Sequence, residues 1–123
     1  MVKNSAIDRQ QLAKLLRAVI NPEDVISDDE TLKPYECDGL SMYTAMPLLV
    51  ALPETVEQVQ QIMQICYEHQ VPVVARGAGT SLCAGAMPHE EGVVLSLAKF
   101  ADILEIDQLA RTARVQPLSL IHI

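Results

Sequence analysis

Between Arg76 and Gly85 the chain reads Arg-Gly-Ala-Gly-Thr-Ser-Leu-Cys-Ala-Gly, and three of its five glycines fall in this stretch. Closely spaced glycines let successive backbone N–H groups converge on an anion with no Cβ in the way. Thr80 and Ser81 add hydroxyl donors, and Arg76 adds a fixed positive charge. That chemistry suits a phosphate cradle built from Arg76, Gly77, Ala78, Gly79, Thr80, Ser81 and Gly85. Spacing alone leaves a second reading open, a turn whose glycines only relieve φ strain. Arg76 likewise either neutralises a diphosphate or pairs with a surface acid.

Two familiar phosphate motifs are excluded letter by letter. Gly77 and Gly79 begin a G-x-G-x-x-G match, but Leu82 stands where the third glycine belongs. A P-loop needs Lys and then Ser or Thr after its last glycine, whereas Gly85 is followed by Ala86 and Met87. Other chemistry-bearing residues are sparse. His69 and His89 have no acid or nucleophile at a catalytic spacing, so no catalytic residue is assigned. Asp28-Asp29-Glu30 and Glu90-Glu91 read as solvated or turn acids rather than metal ligands. Cys37, Cys66 and Cys83 are odd in number and widely spaced, so neither a disulfide framework nor a metal site is expected. Cys83, inside the loop, reads as a small apolar filler.

The elements around the loop must hold it at a sheet edge. Val71 to Ala75 is a short apolar strand that runs directly into Arg76, and Leu48 to Leu52 is another, bounded by Pro47 and Pro53. Between them Thr55 is a good N-cap, and Val56, Val59, Ile62, Met63 and Cys66 trace one helical stripe ending near His69. Strand, helix and strand in succession predict a parallel crossover unit of two buried strands, with the glycine loop at the carboxyl edge where α/β sheets take ligands. Beyond the loop, Gly92 to Leu97, Asp102 to Asp107 and Arg111 to Val115 read as three more short strands. Their close succession predicts that the unit finishes antiparallel. Upstream, Ser5 and Asp8 resemble a capping pair before Ile7, Leu12, Leu15, Leu16 and Val19, a helix covered on one side and stopped by Asn21-Pro22. Glu23 to Met46 shows no clear period and reads as an extended connection. The fold class is therefore α/β (α+β), a β-α-β unit followed by three short strands and preceded by an N-terminal helix.

At 123 residues the chain is about one ordinary domain, half hydrophobic but only 3% aromatic, so its core must be aliphatic. Sixteen acids against nine basic residues give a net charge of −7, which opposes general attraction to nucleic acid or to an anionic membrane. No apolar run has the length of a signal peptide or a membrane span, and a cytoplasmic protein is expected.

Taken together, Leu48 to Thr55, Val71 to Leu82 and Gly92 to Leu97 resemble the flavin-binding domain of the vanillyl-alcohol oxidase type. Within it the chain is most similar to FAD-linked glycolate oxidase subunits and D-lactate dehydrogenases. The likeness runs from about Tyr35 to Pro117, and its most specific part is Arg-Gly-x-Gly-Thr-Ser-Leu-x-x-Gly. It implies the first subdomain of such a domain, with the loop holding the FAD pyrophosphate through Arg76, Gly77, Ala78, Gly79, Thr80, Ser81 and Gly85. Family members that attach the flavin covalently use a His in this loop; Thr80 stands there in this chain, so noncovalent FAD is implied.

The resemblance further implies oxidation of a 2-hydroxy acid, glycolate or D-lactate, to the 2-keto acid. It also implies partner subunits, one with a flavin domain and one with an iron–sulfur centre. The family's base and carboxylate-binding Arg follow the last strand seen here, so no catalytic residue carries over. The expected division is an N-terminal helical arm and connection (1–46), a partial FAD-binding domain (47–117) and a tail (118–123). In the tail, Leu118-Ser119-Leu120-Ile121-His122-Ile123 departs from the family pattern, in which a glycine follows Gln116-Pro117, and suggests a truncated gene. An unpaired strand edge at Arg111 to Val115 beside an apolar tail agrees with that expectation. The reading from another class is a noncatalytic small α/β module that binds a protein partner through its exposed sheet edge.

Overall fold

The computed structural model describes residues 8–36, 45–78, 88 and 91–118. Helix α1 (Arg9–Arg17) starts at Asp8, whose carbonyl accepts from Leu12 N–H at 2.9 Å, and it buries Leu12, Ala13 and Leu16. Its N-cap is thus Asp8; Ser5, expected there, lies outside the described residues. Strand β1 (Val25–Ile26) and the short helix α2 (Asp29–Leu32) follow, with 3₁₀ turns at Pro22–Asp24 and Lys33–Tyr35. These occupy part of the segment expected to be a plain connection. The Asp28 side chain caps α2 by accepting from Thr31 N–H at 2.9 Å and from the Thr31 hydroxyl. Those two hydrogen bonds hold its carboxyl below the usual aspartate value.

Strand β2 (Leu49–Ala51) leads through α3 (Val56–Glu68) to β3 (Val73–Arg76), the expected crossover unit. At the start of α3, Thr55 Oγ1 accepts from Gln58 N–H at 3.2 Å, while Gln58 Oε1 accepts from Glu54 N–H at 2.7 Å. Two otherwise orphaned donors are satisfied in that exchange. The helix ends in a Schellman arrangement. Val71 N–H reaches Cys66 O at 2.8 Å and Gln70 N–H reaches Tyr67 O at 3.2 Å, with Gln70 at φ 54°.

Strand β4 (Val93–Ser96) returns between β2 and β3, giving the order β1-β2-β4-β3. It runs parallel to both neighbours, and only β1 is antiparallel. The expectation that this strand opens an antiparallel finish is therefore corrected. Only β5 (Ile103–Asp107) and β6 (Thr112–Val115) pair antiparallel, as a separate two-stranded sheet. The physical reason lies in residues 77–92, a connection long enough to carry the chain back to the start of the sheet, which a short turn could not do.

Insertion of β4 makes it the sheet's fully buried centre and leaves β3 at an edge, half exposed rather than buried. One sheet face, with Leu49, Ala51, Val93 and Leu95, packs against α1 and α3 through Leu12, Leu16, Ile62 and Cys66. The other face is smaller. Val50 and Val94 pack there with Leu32, and Ile26, Tyr35, Met46 and Leu52 close around them. Burying a side chain such as Val50 stabilises by roughly 1.5–3 kcal/mol. Two members of the expected α3 stripe miss the core: Val56 is 70% and Met63 44% exposed.

Candidate functional site

The three parallel strands end together. β2 stops at Ala51, β3 at Arg76 and β4 at Ser96, and Leu97 N–H closes the edge by donating to Arg76 O at 2.9 Å. Arg76 pairs in register with Ser96, two residues on from the Val74–Val94 pair, which puts it on the smaller sheet face. There its guanidinium carbon lies 5.2 Å from the centroid of the Tyr35 ring. Both side chains are half-buried.

The chain then leaves the sheet through Gly77 and Ala78. A Cβ built on Gly77 would sit 3.2 Å from Leu118 Cδ2, so the close approach of the two segments depends on the missing side chain. Leu118 is held there by its N–H, which donates to Phe100 O at 2.8 Å. Of the expected phosphate-holding residues, the structure brings Arg76, Gly77 and Ala78 to the carboxyl edge. Gly79, Thr80, Ser81 and Gly85 lie outside the described residues, as do Cys37, Cys83, His89 and Glu90.

A second charged group occupies the far end of the same edge. Lys99 Nζ lies 2.6 Å from Asp24 Oδ2 and 3.0 Å from Glu54 Oε1, and Asp24 is only 8% exposed. The two carboxylates raise the Lys99 pKa above that of a free lysine. Lys99 is thus committed to neutralising two acids. An open apolar hollow of about 320 Å³ lies beside this edge, lined by Val56, Val59, Leu97, Phe100, Leu104 and Val115, and it accounts for the exposure of Val56.

Sequence reasoning missed Tyr35, Ser96, Leu118 and the Lys99–Asp24–Glu54 group. Each comes from a segment distant along the chain and is brought in by sheet register or by backbone hydrogen bonds. The Asp28-Asp29-Glu30 cluster is a helix start, with Asp29 bound to Arg9 at 3.1 Å. Among the described residues no group of three or more His, Cys, Asp or Glu side chains could hold a metal ion, and no helix is long and apolar enough to cross a membrane.

The class defined by this architecture is an α/β domain with parallel strands, of the kind that takes ligands at the carboxyl edge of its sheet. Residues 47–118 match the model of the FAD binding domain family, and the chain belongs to that family. It is 49% identical over 111 residues to glycolate oxidase subunit GlcD of Escherichia coli (strain K12), an alignment covering 90% of this chain and 22% of the relative. It is 40% identical over 99 residues to the same subunit of Bacillus subtilis (strain 168), covering 80% and 21%. The chain thus spans about a fifth of the length of these curated relatives, 22% in the first case. Its fold superposes on 4-ethylphenol oxidase from Gulosibacter chungangensis with a TM-score of 0.75 at 23% identity, over 95% of this chain and 23% of that one. The expected fold class, the first subdomain of a vanillyl-alcohol oxidase-type FAD-binding domain, is borne out, and so is FAD as the cofactor of the family.

Proposed function

We propose that this chain is the FAD-binding portion of an FAD-linked oxidoreductase that oxidises a 2-hydroxy acid, glycolate or D-lactate, to the 2-keto acid. The observation that carries the reading is the 49% identity to a glycolate oxidase subunit across 90% of the chain, glycine loop included. FAD, when bound, would supply a two-electron acceptor for that oxidation.

The chain's own residues bind and orient. Arg76, Gly77, Ala78, Gly79, Thr80, Ser81 and Gly85 hold the diphosphate in this reading, the arginine by charge and the loop by backbone N–H and hydroxyl donors. The described part fits such a group: a guanidinium stands at the carboxyl edge, and the backbone leaves it at a glycine where an added Cβ would press on the Leu118 side chain at 3.2 Å. Thr80, in place of a histidine, supports noncovalent attachment. No catalytic residue is assigned to this chain. The proposed division keeps 47–117 as the partial FAD-binding domain, 1–46 as the arm and connection, and 118–123 as the tail.

The word subunit in the relatives' names supports a larger assembly, with a flavin-domain subunit and an iron–sulfur subunit as the proposed partners. Widely spaced cysteines, with Cys66 buried as a free thiol, support a cytoplasmic setting. Calorimetric titration with FAD and with ADP tests the cradle. Saturable binding by the unsubstituted chain and its loss in Gly79→Val are expected; equal affinity of the two chains would overturn the assignment.

A further inference from the structure

Among the described residues the β5–β6 hairpin is a two-stranded sheet by itself, and its two faces differ in chemistry. The register sets Glu105 opposite Arg114 and Asp107 opposite Thr112 on one face, and Ile106 opposite Ala113 and Ile103 opposite Val115 on the other. The irregularity between Ile103 and Glu105 adds Leu104 to the apolar side, where with Val115 it lines the hollow of about 320 Å³ beside Val56 and Phe100. We propose that this apolar face is a contact between two copies of the chain. The copies are related by a twofold axis, so that Leu109, at the tip of each hairpin, seats in the hollow at the base of the other.

The face has the character of surface that is covered. Leu104, Ile106 and Val115 are 52%, 60% and 48% exposed, and Val56 beside them is 70% exposed. A two-stranded hairpin is marginal in water unless its apolar side is packed, and contiguous apolar surface marks an interaction site on a soluble protein. The polar face is already served by water and by the Glu105–Arg114 pair at 3.7 Å.

What selects a second copy as the occupant is that a protruding apolar group and a hollow to receive it stand on one chain, at opposite ends of one hairpin. Leu109 is 99% exposed, and its turn is ordered from within: Asp107 Oδ1 accepts from the N–H groups of Leu109 and Ala110, each at 3.0 Å. The backbone that presents the leucine is therefore fixed before docking, which lowers the ordering cost. An apolar cavity of ~150 Å³ takes a benzene ring, so the hollow has room for a leucine side chain. The five residues of β5, at about 3.4 Å each, separate base from tip by roughly 17 Å. An axis crossing the hairpin near the Ile106–Ala113 pair then brings each tip over the partner's base. Such a contact fills both hollows at once and closes at two copies. It also places no charge in the interface, because Glu105, Asp107 and Arg114 lie on the other face. The repulsion between two chains of net charge −7 acts from further away and is screened by salt. None of these residues belongs to the proposed diphosphate cradle, so the inference stands apart from that reading.

The test is sedimentation velocity of the full chain over a concentration series at physiological salt, with circular dichroism to confirm folding. A face of this size sits at the small end of specific interfaces, and a monomer–dimer equilibrium with a Kd of about 1–100 µM is expected. Leu109→Ala changes a side chain that the fold does not bury and removes it from both sides of the contact, so the dimer is expected to weaken by about a hundredfold. Val56→Asp puts a carboxylate at the rim of the hollow, in the first turn of α3 where an acid suits the helix, and is expected to abolish the dimer. Tyr67→Ser removes a ring that is 85% exposed at the other end of α3 and is expected to leave association within about twofold. A short bis-maleimide added to a mixture of Leu109→Cys and Val56→Cys chains is expected to join the two variants in preference to Leu109→Cys with itself, above the background of the unsubstituted chain. A chain that stays monomeric across the series would overturn the proposal and leave the face to a different polypeptide. Association unchanged in Leu109→Ala or Val56→Asp, weakened as much by Tyr67→Ser, or growing beyond two copies would overturn it equally.

Discussion

Substituting Gly77 by alanine probes the approach of the C-terminal segment to the site. The added methyl would lie 3.2 Å from Leu118 Cδ2, well inside ordinary carbon–carbon contact of about 3.5–4.0 Å. The obstacle is the end of a side chain, so Leu118 is expected to yield by a few tenths of an ångström rather than the backbone. Overpacking in a close-packed interior costs roughly 1–3 kcal/mol, and a half-buried, adjustable neighbour brings this case below that range, to about 0.5–1 kcal/mol. For a chain of this length that is a fall in Tm of about 2–4 °C. The assay is thermal and urea unfolding of four chains: unsubstituted, Gly77→Ala, Leu118→Ala and the double variant. The contact predicts coupling, with the alanine at 77 costing little once Leu118 is truncated. An equal penalty in both backgrounds would refute the steric account and place the cost in the backbone of the loop.

Three further outcomes follow from the structure. Gln70 ends α3 at φ 54°, where a side chain is strained, so Gln70→Gly is expected to stabilise by about 0.5–1 kcal/mol, read as a rise in Tm, while Gln70→Val lowers it. Burial pushes the Cys66 thiol up to about 11 from 9.0, so peptide mapping after thiol labelling at pH 8 should find Cys66 unmodified until denaturant is added. The folded state holds that proton more tightly, so this contribution to stability is whole below pH 9 and is lost as pH rises toward 11. Replacing Lys99 with Met leaves Asp24 buried without its cation; partial exposure of the lysine screens the pair, and a loss of about 1–2 kcal/mol in urea unfolding is expected, smaller when Asp24→Asn accompanies it.

How far the fold was legible in the sequence depends on the range of the interactions that set it. Leu49 to Ala51, the Thr55 cap and the run to Cys66 are local signals, and all lie where expected. The place of β4 is not local. Val93 to Ser96 reads as a strand, but whether it pairs at an edge or slots between β2 and β3 is decided by residues 77–92 and by which apolar strand lacks a neighbour. That one choice also explains why Val73 to Arg76 is half exposed, since an edge strand is covered on fewer sides. Strand β1 is two residues long, too short for any period to show. At the site, Arg76 and Gly77 could be read from residue type and spacing. Tyr35 could not: a tyrosine in an aperiodic segment acquires meaning only when the smaller sheet face brings it over the arginine.

The slot between β2 and β3 has a consequence for how the molecule responds to its ligand. Both outer parallel strands hydrogen-bond to β4 and neither to the other, so the sheet closes only when the chain has travelled from Arg76 back to Val93. The glycine loop is the first part of that journey. A ligand that binds the loop only in its folded form therefore favours the seating of the central strand, and its binding free energy is delivered to the whole sheet by mass action rather than to the loop alone. For such a ligand, binding and completion of the fold are one equilibrium.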